Sequence, residues 1–214
     1  MGADAKIRRG RPKAMSDDER RKRIVQTAEK LFVRKGFAGT RTLEIAARCK
    51  ISKQTMYRLF PTKLDLFAAV VEAHRMKMVD FSDRYDDLPL DQALARMFMI
   101  DLDQESYELR AAFLRTINIE SVQHPQIRDL LRRQGGRRTR MELKAWLDRQ
   151  CEKGRLDVES TDSAAHMLMD TLVGAVFFDA LGGFGWANRE ERAAHFRRCI
   201  DIFLKGALPG GDRS

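Results

Sequence analysis

An all-α fold is what this sequence of 214 residues predicts, on three observations. Apolar residues recur at three- and four-residue spacings, capping boxes and glycine stops mark helix ends, and the alternation of strands is almost absent. With 43% hydrophobic residues, the chain can build one medium core or two small ones.

The elements follow in order. Ser16 with Glu19 makes a capping box, Ile24, Ala28, Leu31 and Phe32 share one face, and Gly36 stops this first helix. Thr40 or Thr42 can cap a short second helix through Arg48 that carries Leu43, Ile45 and Ala46. Cys49, Lys50 and Ile51 make a tight connection to Ser52, the natural cap of a third short helix that ends at Phe60 before Pro61. Thr62 with Asp65 forms a second capping box, which opens a long fourth helix. Beyond it come amphipathic helices, with a break or bend at "RRQGGRR" between Leu131 and Met141 and a loop at "GGFG", residues 182–185.

Charge divides the chain. Residues 1–63 hold 18 Lys and Arg against 6 Asp and Glu, while the remaining residues hold 22 against 25, so the whole excess of +9 lies at the N-terminal end. That asymmetry suits an end that meets a polyanion, with a merely soluble surface as the alternative. Cys49, Cys151 and Cys199 are widely separated and form no CxxC pair, which argues against a disulfide framework or a metal site and favours a reducing, cytoplasmic setting. The most apolar stretch, 164–181, is interrupted by Asp170 and Asp179, so no membrane span is expected. His74, His124, His166 and His195 are scattered, and neither HExxH, GxSxG nor GxGxxG occurs, so the chain does not read as an enzyme and no cofactor is implied.

Two short helices joined by about three residues form the helix-turn-helix pattern. At 100° per residue, Met56, Leu59 and Phe60 cluster on one side of the third helix, with Gln54 and Arg58 nearly opposite, Tyr57 beside them, and Lys53 and Thr55 on the flanks. Gln and Arg can read adenine and guanine bidentately, and Lys, Thr and Tyr grip phosphates. Lys63 begins the fourth helix, where the dipole disfavours a cation by roughly 0.3–1 kcal/mol unless a phosphate binds there.

The segment "AEKLFVRKGFAGTRTLEIAARCKISKQTMYRLFPTKLDLFAAVVE", residues 28–72, resembles the DNA-binding region of the TetR family of bacterial transcription regulators. The resemblance implies an N-terminal three-helix DNA-binding domain over residues 16–62 and a C-terminal helical domain for ligand binding and dimerisation over 63–208, with a short tail at 209–214. It also carries Thr40, Lys53, Thr55, Tyr57 and Lys63 onto positions that commonly contact an operator. With Thr42, Gln54 and Arg58 these complete the expected DNA-binding set. Two residues depart from the family pattern. Lys50 stands where a turn glycine is usual, at a cost of about 1 kcal/mol if φ must be positive. Gln54 replaces a small residue, so base preference cannot be copied.

Given that context, "RRGRPK" at 8–13 reads as a flexible arm, within residues 1–15, whose Arg9, Arg11 and Lys13 can enter the minor groove. A solvated basic tail is the alternative. Cys49 is a small buried group or a redox-sensitive thiol.

In the C-terminal part, Met97, Met99, Phe113, Met141, Trp146, Met167 and Phe177 are candidates to line a pocket for a small hydrophobic effector. The nearly all-apolar stretch from Ser163 to Leu181, with Gly174 and Phe178, and the stripe Phe196, Ile200 and Phe203 are candidates for a homodimer interface. The expected function is a ligand-responsive repressor released from a palindromic, double-stranded DNA operator. An activator of the same fold and a non-specific nucleoid protein using the basic arm are the alternatives.

Overall fold

The computed structural model describes residues 15–207 apart from 181, 183 and 184; Arg9, Arg11 and Lys13, the 209–214 tail and the centre of "GGFG" lie outside the described residues. Within the described residues there is no strand. Helix α1 (Asp17–Gly39) opens on the expected capping box, the Ser16 hydroxyl accepting from the Glu19 amide at 3.2 Å and the Glu19 carboxylate from the Ser16 amide at 2.7 Å. Its regular course breaks at Gly36, φ 72°, and one more turn follows. A Cβ there would lie 2.4 Å from Glu120 Oε1, so both the backbone angle and the close neighbour require glycine.

Helix α2 (Thr42–Arg48) is capped by neither Thr40 nor Thr42: Arg41 occupies the cap position without a side-chain bond. Thr40 is instead buried, its hydroxyl donating to Gly36 O at 2.7 Å and Leu31 O at 3.2 Å, where it closes the end of α1. The turn to α3 (Lys53–Leu59) puts Lys50 at φ 52°, the left-handed conformation in which glycine costs least. Ser52 caps α3 by accepting from the Thr55 amide at 3.1 Å. Helix α4 (Lys63–Met78) begins at the Thr62 and Asp65 capping box.

The C-terminal part comprises α5 (Leu90–Met97), α6 (Gln104–Gln123), α7 (Pro125–Gln134), α8 (Gly136–Glu152), α9 (Thr161–Leu168), α10 (Gly174–Ala180) and α11 (Arg189–Ala207). The break expected within "RRQGGRR" is Gly135, φ −93° and ψ −109°, between α7 and α8. A π-helical turn, Met169–Val173, joins α9 to α10.

Burial separates two apolar cores. One gathers α1 to α4 around Phe32, Phe37, Met56 and Phe67, and it also takes Phe113 from α6 and Ile127 and Leu130 from α7. The other is built on α5, α6, α8, α9 and α11 around Leu94, Trp146 and Ile200. Helix α6 is therefore shared. An aromatic chain crosses the junction: Phe32 meets Phe67 at 5.2 Å, Phe67 meets Phe113 at 6.5 Å, and Phe113 meets the His74 ring at 4.2 Å.

Candidate functional site

The three-helix head presents α3 outward because Met56 and Leu59 are buried beneath it. Lys53, Gln54, Tyr57 and Arg58 are exposed, and Thr55 is half-buried, as the helical wheel requires. Several of these side chains already have partners. Arg58 donates to both carboxylate oxygens of Asp17, at 2.6 and 2.9 Å, a bidentate pair that raises the guanidinium and holds the Asp17 carboxyl well below the usual range. The Tyr57 hydroxyl lies 3.3 Å from that of Thr42, and the Lys53 ammonium stands over the Tyr57 ring at 5.9 Å. No hydrogen-bond partner engages the Gln54 amide among the described residues.

Two expected DNA contacts sit otherwise than the sequence suggested. Thr40 is only 1% exposed, and its hydroxyl is committed to the α1 carbonyls. Lys63 is half-buried, donating to Ala38 O at 3.2 Å with its ammonium 4.4 Å from the centre of the Phe37 ring. Burial pushes this lysine down, against the opposing charge of Glu120. Cys49 is buried and its thiol donates towards Thr27 Oγ1 at 3.4 Å.

A cavity of about 360 Å³ lies where α4, α6, α8 and the π turn meet, lined among others by His74, Phe113, Ile117, Asn118, Thr139 and Phe177. Of the expected lining residues, Phe113 and Phe177 are present. Met97 and Trp146 are fully buried in the core, because they face inward from α5 and α8. Met141 is 57% exposed on the outside of α8. Met99 lies against a smaller recess at the start of α6, and Met167 lines a separate surface groove of about 560 Å³ between α9 and α11. The expected interface residues divide in the same way. Phe196, Ile200 and Phe203 pack into their own chain, Gly174 is half-buried, and Phe178 is exposed together with Met167 and Ile202.

Two buried polar contacts tie the cavity walls to α1. His74 Nδ1 lies 3.4 Å from Glu29 Oε1, and burial pushes the imidazole down so that its neutral form is favoured. Glu120, on α6, accepts from the Phe37 amide at 2.7 Å beside the Gly36 break. Neither residue stood out in the sequence. The one available signal was a carboxylate and a histidine on helix faces otherwise given to core.

Comparison with known proteins follows the same division. Residues 24–70 match the model described as "Bacterial regulatory proteins, tetR family", and residues 92–206, more than half of the chain, match "AefR-like transcriptional repressor, C-terminal domain". The chain belongs to the TetR family. As such it is a DNA-binding transcription regulator and not an enzyme. Among curated relatives it is similar to the uncharacterised regulator YuxN of Bacillus subtilis, 45% identical over 53 residues, which is 25% of this chain and 18% of that protein. It thus spans less than a fifth of that relative's length. Among solved structures, a TetR-family regulator from Mesorhizobium loti superposes with a TM-score of 0.71 at 23% identity, covering 90% of this chain and 98% of the other. A SmeT–triclosan complex superposes with a TM-score of 0.66 at 20% identity over 90% and 93%. These two likenesses concern the fold. Among the described residues of this TetR-family chain, no helix is long and apolar enough to cross a membrane.

Proposed function

We propose that the chain is a cytoplasmic, homodimeric repressor that holds a palindromic operator through α3 and releases it when a small, largely apolar effector fills the cavity on α4 and α6. The observation that carries this reading is the shared wall: His74 and Phe113 line the cavity, His74 also meets Glu29 of the DNA-binding head, and Phe113 reaches the head through Phe67 of α4, which packs on Phe32 and Phe37. An effector that favours one packing of α6 over another then shifts the population of head orientations, and a few kcal/mol of discrimination suffices. Lys53, Gln54, Thr55, Tyr57 and Arg58 are the groups offered to DNA, with Thr42 and Lys63 at the margins. Arg9, Arg11 and Lys13 are offered to the minor groove. The repressor sign is supported by the description of the model matched by residues 92–206, and an effector of triclosan's size by the SmeT complex. The exposed apolar stripe of Met167, Phe178 and Ile202 supports self-association through α9 to α11.

Selection of bound DNA from a random pool, at physiological salt, tests the reading. It is expected to return a palindrome with half-sites about one helical turn apart, and sedimentation at micromolar concentration is expected to give a dimer. A featureless or merely A·T-rich pool, or a monomer, would overturn it.

A further inference from the structure

We propose that Arg110 is the anchor for the carboxylate of an amphipathic organic acid, whose apolar body fills the cavity beside it. This rests on the effector reading of that cavity and names the chemical class of the ligand.

Arg110 is buried, 8% exposed, on α6. Its polar contact within the protein is the thioether of Met99, 3.1 Å from Nη2. Among the described residues no carboxylate pairs with it. The acid whose charge reaches it, Asp103, is the cap of α6 and accepts from the Ser106 amide at 2.9 Å. The contrast with Arg75 is direct. Arg75 lines the large cavity too, but two carboxylates hold it, Glu72 at 2.9 Å and Glu142 at 2.6 Å. A buried cation without a counter-ion is strongly unfavourable, and the usual remedy is a bound anion or a hydrogen-bonded partner.

Position makes the cavity the source of that anion. Arg110 faces a small recess walled by Met78 and Val173, and both also line the 360 Å³ cavity, so the two spaces adjoin. Along α6, Arg110 stands at i, with Phe113, Leu114, Ile117 and Ser121 at i+3, i+4, i+7 and i+11: one helical stripe that carries the cavity wall up to the guanidinium. Arg192 adds positive potential while it donates to Gln104 Oε1 at 2.9 Å and Leu102 O at 2.6 Å. Burial and that neighbour push Arg110 down to about 10, which leaves it charged at neutral pH. Neutral His74 offers no competing charge. A planar guanidinium binds a carboxylate through two parallel hydrogen bonds, and the apolar walls suit a hydrocarbon body better than free phosphate.

Calorimetric titration of the full chain without DNA, using decanoate and 1-decanol, tests this. Decanoate is expected to bind about tenfold or more tighter than decanol, as one charge-assisted pair provides. Arg110→Met should remove that preference and leave decanol binding unchanged, while Arg110→Lys should retain part of it. Without ligand, Arg110→Met should melt higher than the parent, because an uncompensated charge has gone. Equal affinity for the two probes, no binding of either, an unchanged preference in Arg110→Met, or a lower melting temperature for that variant each overturns the proposal. A separate titration against operator DNA distinguishes it from the reading on which it rests. Arg110-dependent decanoate binding without DNA release sustains the anchor and overturns the effector function. Release by decanol as readily as by decanoate sustains the effector function and overturns the anchor.

Discussion

Between Met15 and Ala73 no buried side-chain nitrogen or oxygen lacks a hydrogen-bond partner, whereas from His74 onward the His74 Nε2, Trp146 Nε1 and Gln150 Nε2 atoms do, and among the described residues Arg110 donates to the Met99 thioether alone. The two regions use buried polarity differently. In the head, polar groups close helix ends and turns: Ser16, Ser52 and Thr62 cap, Thr40 ties the end of α1, and Cys49 bonds to Thr27. Such bonds are local and complete, and they hold α3 in one orientation on an apolar floor. Of the incomplete groups, Trp146 and Gln150 lie in the core, whereas His74 lines the cavity and Arg110 the recess beside it, among aromatic and aliphatic walls. An unmet donor or acceptor there costs stability in the empty state and returns it when a complementary ligand arrives.

That contrast can be broken most severely at the junction. Phe67→Ala removes the ring that joins Phe32 and Phe37 to Phe113, at a fully buried site, and is expected to cost about 3–5 kcal/mol by urea denaturation. A loss much below that range would mean that α4 and α6 do not share one core with the head. Next comes Glu120→Ala, which strips the Phe37 amide of its acceptor and is expected to cost about 1–3 kcal/mol. If instead it is neutral, the Gly36 break is held by packing alone.

Lys50→Gly sharpens the view of the head as locally optimised, since Lys50 is its exception at φ 52°. The variant should gain about 0.5–1 kcal/mol, read as a higher midpoint in denaturant with an unchanged slope. The smallest effect is one of pH. His74 titrates below its ordinary 6.5 in the folded chain because burial disfavours the cation. As the pH falls through 6.5 the unfolded chain takes up the proton first, so stability declines until the folded imidazole is protonated as well. Glu29 and Glu72, both held below their ordinary 4.5, add their own losses only at lower pH. Melting curves of His74→Gln should lack the decline that starts near pH 6.5, and a parallel decline in that variant would assign it elsewhere.

Legibility in the sequence follows the same divide. Capping boxes are contacts between residues three apart, so Ser16 with Glu19, Ser52 with Thr55 and Thr62 with Asp65 could be read directly, and so could the outward face of α3. Thr40 escaped because its role depends on the break at Gly36, which is completed by Glu120, 83 residues from Phe37. The apolar stripes of the C-terminal part could be found but not assigned. A stripe is equally apolar whether it faces its own chain, as Phe196 and Ile200 do, or solvent, as Met167 and Ile202 do. The cavity draws its walls from α4, α6, α7, α8, the π turn and α10, and no spacing within one helix reveals which residues will border a space left between several elements.

The pair between Arg58 and Asp17 gives the head a built-in competitor for its ligand. A carboxylate presents two oxygens to the guanidinium much as the O6 and N7 edge of guanine does, so in the proposed complex contact with DNA would exchange one bidentate partner for another. A correctly placed guanine would replace both hydrogen bonds that the guanidinium gives up on leaving Asp17. On the proposed reading, random sequence would be released sooner than an operator, and the search along DNA would be less often delayed at sites that merely carry charge.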